Sequence, residues 1–78
     1  MRAEFFALIA DVLLVDASEI TADSTFETVE HWDSEREIEL ALMLEVEFGV
    51  SLDAVDMSRL RSVRALYEVL EKHGVRIP

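Results

Sequence analysis

Few side chains in this sequence could do covalent or metal chemistry, and most of them stand alone. No cysteine occurs among the 78 residues, so the chain has no thiolate nucleophile, disulfide or thiolate metal site of its own. Any thiol chemistry must come from a cofactor. His31 and His73 are far apart in sequence and belong to no paired ligand motif, which argues against zinc. Asp53, Asp56 and the region of Asp16 lack the D-x-D-x-D-G spacing and closing glutamate of a calcium loop. No G-x-S-x-G elbow surrounds Ser34, so serine catalysis has no support. What remains is the pair Asp33-Ser34. Ser34-Glu35-Arg36-Glu37 matches the S-x-x-E capping box, in which Ser34 would close the start of a helix. Asp33 would complement the dipole of that helix.

The elements that must present this pair are helical. Phe5, Leu8, Ile9, Val12 and Leu13 follow the i, i+3, i+4, i+7, i+8 pattern and predict an amphipathic helix over roughly Arg2 to Leu14. Residues 15 to 33 are rich in Asp, Ser and Thr, which compete with a helix for backbone hydrogen bonds. Ile20, Phe26, Val29 and Trp32 can pin this long connection to the bundle, and Ser24-Thr25-Phe26-Glu27 can cap a helical turn within it. A second helix is predicted from Ser34 to Phe48, stopped by Gly49. A short helix or turn covers Asp53 to Met57. The last helix starts near Ser62, buries Val63, Leu66, Tyr67 and Leu70, and ends at Gly74 with Lys72 and His73 placed to meet its dipole. The expected fold is all-α: one domain over residues 1–78, with three main helices, one short helix and a long loop between the first two. Tyr67 and the phenylalanines are assigned to the core, and Trp32 to core or loop packing. Ala41, Ala54 and Ala65 at the expected seams would permit a narrow cavity or simply close packing.

The second helix is apolar on two sides. At about 100° per residue, Leu40, Ala41, Leu44 and Phe48 share one face, while Ile38, Leu42 and Val46 form a stripe roughly 120° or more away. Glu39 and Glu45 flank that stripe, and Glu35 projects onto it near the helix start. An apolar strip fringed by carboxylates suits docking to a partner with an apolar groove and a basic rim. The alternative is that the loop over 15 to 33 covers it.

The balance of 17 acidic against 7 basic residues gives a net charge of −10. Such a surface repels nucleic acid and anionic membranes and favours basic protein patches. Apolar residues make up 51% of the chain, which argues against disorder. No apolar run approaches the ~20 residues of a membrane span, and Met1-Arg2-Ala3-Glu4 does not read as a signal peptide. The expectation is a soluble cytoplasmic monomer. Arg59, Arg61 and Arg64 are expected to relieve acidic repulsion near the second helix.

In this order of elements the chain resembles the acyl carrier protein family. Val12-Leu13-Leu14-Val15-Asp16 is similar to that family's first-helix ending, and Ile20-Thr21-Ala22-Asp23-Ser24-Thr25-Phe26 to its loop. Asp33-Ser34 resembles its attachment motif. The stretch from Ile38 to Val50 and Leu60-Arg61-Ser62-Val63-Arg64-Ala65-Leu66 complete the likeness, which spans nearly the whole chain. The resemblance implies that Ser34 is the attachment point of 4'-phosphopantetheine, supplied from coenzyme A by a phosphopantetheinyl transferase, with Asp33 supporting the modification. The Ser34 hydroxyl would attack the β-phosphate of coenzyme A and become a phosphodiester, as the pyrophosphate bond breaks and adenosine 3',5'-bisphosphate leaves. The cofactor thiol would hold acyl groups as thioesters for fatty acid, polyketide or related synthesis. Acyl-loading and acyl-processing enzymes with basic patches would be the partners, and the carrier itself would catalyse nothing.

Glu35 departs from the family, which usually has leucine after Asp-Ser. Three readings stand side by side: partners with a basic residue opposite Glu35, a degenerate carrier that is poorly modified, or a deliberate substitution. With Asp33 and Ser34 intact, the working carrier is favoured. The rival account is an unmodified acidic adaptor that binds a partner through its second helix and uses Ser34 only as a cap.

Overall fold

The computed structural model describes residues 2–77. Its main helices are α1 (Arg2–Leu13), α2 (Ser34–Phe48) and α4 (Val63–Lys72), with a single-turn α3 (Ala54–Met57) between the last two. No strand occurs among the described residues, only an isolated bridge between Thr25 and Ser62. The all-α plan with one long loop is therefore the observed one.

Each long helix turns one apolar face inward. Phe5, Ile9, Ala10 and Leu13 of α1 meet Leu40, Ala41 and Leu44 of α2 and Val63, Leu66, Val69 and Leu70 of α4 in one core. The Phe5 ring lies 6.0 Å from Phe48 and 4.9 Å from Tyr67, so the start of α1 meets the end of α2. Gly49 closes α2 in the left-handed region, φ 67°, where glycine carries no Cβ penalty. Leu14 does the same work after α1 at φ 60°, and Val15 N–H donates to the Ala10 carbonyl at 3.1 Å. Leu14 does so as an exposed, branched side chain.

The connection between α1 and α2 is seated by Ile20, Val29 and Trp32, all buried. Phe26 is not a pin: it is 42% exposed, with the Arg61 guanidinium 5.5 Å over its ring. Its backbone is what holds, since Phe26 N–H donates to the Arg61 carbonyl at 2.9 Å and Val63 N–H to the Ser24 carbonyl at 3.0 Å. The helical turn foreseen here is capped one residue later than expected. Thr25 Oγ1 accepts the Glu27 N–H, and Thr28 Oγ1 accepts the Thr25 N–H. A further short 3-10 turn at Ala17–Glu19 lies in the same connection.

Lys72 and His73 do more than meet the α4 dipole. Both reach Asp56 of α3, a carboxylate that is only 1% exposed, at 2.7 and 2.8 Å. No helix of the described residues is long and apolar enough to cross a membrane.

Candidate functional site

The turn that leads into α2 is fixed at three consecutive residues. His31 adopts φ 69°, a left-handed conformation that is uncommon outside glycine but that histidine, like asparagine and aspartate, adopts more readily than most side chains. Trp32 is buried and donates its indole N–H to the Leu60 carbonyl at 3.0 Å. Asp33 is extended, φ −121° and ψ −173°, and its Oδ1 accepts the backbone N–H of Arg36 at 3.0 Å.

Asp33 is therefore the N-cap, and Ser34 is the first helical residue. This corrects the expectation that Ser34 caps through an S-x-x-E box. Glu37 does not reach back either, because its carboxylate lies 3.6 Å from Arg61 Nε. The Asp33 N–H donates instead to the His31 carbonyl at 3.0 Å. Freed from capping, the Ser34 side chain is exposed and has no hydrogen-bond partner among the described residues. It stands at a helix N-terminus, where unpaired N–H groups and the positive dipole end favour a phosphate.

Along α2 the second apolar stripe is open to solvent: Ile38 is 55%, Leu42 56% and Val46 80% exposed. The loop over 15 to 33 leaves it uncovered. The carboxylates around it differ. Glu39 pairs with Arg36 at 2.8 Å. Glu45 is half-buried and accepts the Leu52 backbone N–H at 2.9 Å, so it fastens the chain after α2. Glu35, beside Ser34, is exposed and has no ion pair among the described residues. Arg61 and Arg64 pair with Glu37 and Asp23, so only the first of them reaches α2. Two open surface cavities, of about 610 and 230 Å³, are lined respectively by residues that include Tyr67, Glu71 and Val75 and by residues that include Phe5, Phe48 and Ile77. Neither is lined by Ser34, Ala41, Ala54 or Ala65. Among the described residues no group of His, Asp and Glu is arranged to hold a metal ion.

Residues 3–70 match the family model described as the phosphopantetheine attachment site. The chain belongs to the acyl carrier protein family. It is similar to the Polyketide-8 synthase acyl carrier protein 2 of Streptomyces avermitilis, 36% identical over 63 residues, which is 81% of this chain and 72% of that protein. It is also similar to acyl carrier protein 1 of the same synthase and organism, 30% identical over 71 residues, covering 91% and 84%. Acyl carrier proteins are carriers rather than enzymes, and they hold 4'-phosphopantetheine covalently. This carrier has a group fit to receive it: an exposed, unengaged hydroxyl at the head of α2, and no thiol of its own.

Proposed function

We propose that this acyl carrier protein bears its phosphopantetheine on Ser34 and carries acyl intermediates as thioesters in polyketide or related synthesis. The observation that carries the reading is the Ser34 hydroxyl, exposed and unbonded at the first position of α2 directly after its Asp33 cap. The pathway rests on the printed names of the two relatives. The chain acts as one carrier domain in the cytoplasm, alongside the coenzyme A that supplies the arm.

The chain's own residues prepare the site. Trp32 anchors the approach and Asp33 closes the first turn. Together they hold the Ser34 oxygen outward, where a phosphopantetheinyl transferase can reach it. The N–H groups of the first turn that Asp33 does not engage orient a phosphate joined to that oxygen. Once attached, the arm supplies the terminal thiol on which acyl groups are held. Asp33 remains exposed apart from its bond to Arg36, so its charge is available to the transferase. Ile38, Leu42 and Val46 form the apolar part of the docking face, and Glu35 is the exposed carboxylate that follows Ser34 in the chain. Glu39 stays at the rim through its pair with Arg36, whereas Glu45 serves chiefly to fasten the following loop. The partners, transferase and acyl-processing enzymes alike, present basic residues to this face.

The test is intact mass after incubation with coenzyme A, magnesium and a broad-specificity transferase, beside a Ser34→Ala control. A gain of one phosphopantetheine in the first and none in the second is the expected result. No gain in the parent, followed by loading of Glu35→Leu, would mean a carrier with an altered docking surface. No gain in either would favour the unmodified adaptor.

A further inference from the structure

Helix α3 is attached to the rest of the molecule in an unusual way. Of its four residues only Asp56 is buried, while Val55 and Met57 are 59% and 39% exposed. Apolar anchoring is confined to the flanks, at half-buried Leu52 and fully buried Leu60. Within α3 the buried contact is ionic. Asp56 Oδ1 accepts from Lys72 Nζ at 2.7 Å, and Asp56 Oδ2 pairs with His73 Nε2 at 2.8 Å. Lys72 Nζ also lies 3.5 Å from Asp53 Oδ2, on the residue that caps α3. A carboxylate so far from water is tolerated only when paired and hydrogen-bonded, and here both side-chain partners come from the end of α4, while the Asp53 N–H donates to Oδ2 at 3.2 Å. On its other side α3 packs against α2, and the Glu45–Leu52 bond ties the intervening segment down.

We propose that Asp56, Lys72 and His73 form a latch that docks α3 on the end of α4 and so positions Val55 and Met57 beside α2 as part of the face met by the phosphopantetheinyl transferase. Asp56 is then a positioning residue for docking, twenty-two residues beyond Ser34 in the chain and outside the attachment site. Its place in docking rests on the reading that α2 meets the transferase; the latch itself does not.

The experiment is amide hydrogen exchange on the full chain, with transferase kinetics measured in parallel. Asp56→Asn removes the charge and turns one of the two acceptor oxygens into a donor amide, while the remaining oxygen can still take the Asp53 N–H. Exchange over residues 53–58 should rise about tenfold or more, with residues 34–48 unchanged. The KM of a phosphopantetheinyl transferase should rise while its kcat holds. Lys72→Gln and His73→Gln, whose side chains lie nearer the surface, should give smaller rises over the same residues. They carry the test if Asp56→Asn fails to fold. Unchanged exchange over 53–58 in both single variants would overturn the latch. Raised exchange with an unchanged KM would overturn its role in docking. A parent chain that takes up no phosphopantetheine would sink the carrier reading but leave the exchange result to decide the latch.

Discussion

The Asp33 carboxylate accepts the backbone N–H of Arg36 at 3.0 Å, and this bond closes the first turn of α2 without help from the serine beside it. The two residues should therefore separate in mutagenesis. Ser34→Ala should change stability by no more than about 0.5 kcal/mol, as expected for an exposed residue that makes no bond, yet abolish loading. Asp33→Ala should cost about 0.5–2 kcal/mol through the lost cap. Asp33→Asn should restore most of that stability and leave loading slow. Urea unfolding and intact mass, read together, check all three.

The docking face predicts a split of the same kind. Val46 is 80% exposed, so Val46→Asp should leave stability within about 0.5 kcal/mol. The KM of the transferase should nevertheless rise. Replacing Glu35 with lysine should weaken docking further and flatten the dependence of KM on ionic strength, because screening acts on that charge. Kinetics across a salt series provide the measurement.

Leu14 sits at φ 60° and is 68% exposed. Left-handed backbone costs a side-chain-bearing residue roughly 1–2 kcal/mol, part of which glycine gives back through its freedom in the unfolded chain. Leu14→Gly should then stabilise the protein by about 0.5–1 kcal/mol. An increase in the urea midpoint at unchanged slope is the expected observation.

Asp56 gives a pH dependence with a definite sign. The hydrogen bond from Lys72, followed by that from His73, holds its carboxyl well below the ordinary value of 3.8. Its contribution is present above that value and is lost as pH falls through the lower folded value. Lys72 is raised above its ordinary 10.5, first by its bond to Asp56, so its contribution is present below 10.5 and fades as pH rises further. Urea midpoints should show the parent losing its advantage over Asp56→Asn below about pH 4. Between those limits the Asp56–Lys72 pair should stay intact.

The helices were legible because their apolar spacing is local: α2 begins and ends at the residues that the pattern indicates. The exposed stripe of Ile38, Leu42 and Val46 was legible for the same reason. The cap was misassigned because Asp33 and Ser34 are both good capping residues and the box pattern favours the second. What decided between them was the extended backbone of Asp33, which follows Trp32, itself tied to Leu60 28 residues away. Phe26 was assigned to the core because nothing nearby in sequence announces that Arg61 covers its ring. Asp56 was missed because its partners lie 16 and 17 residues away, and Lys72 and His73 already had a local explanation at the helix end. The local patterns were readable; pairings between distant polar groups were not.

The bond from Trp32 to Leu60 also makes the protein its own optical sensor. Trp32 is the sole tryptophan, it is 4% exposed, and it lies two residues before Ser34. Any event at the arm that unseats the loop must move this one indole toward water and shift its fluorescence to longer wavelength. Loading that leaves the loop seated will leave the emission where it was, so the state of the scaffold can be followed without a label while the carrier passes between its partners.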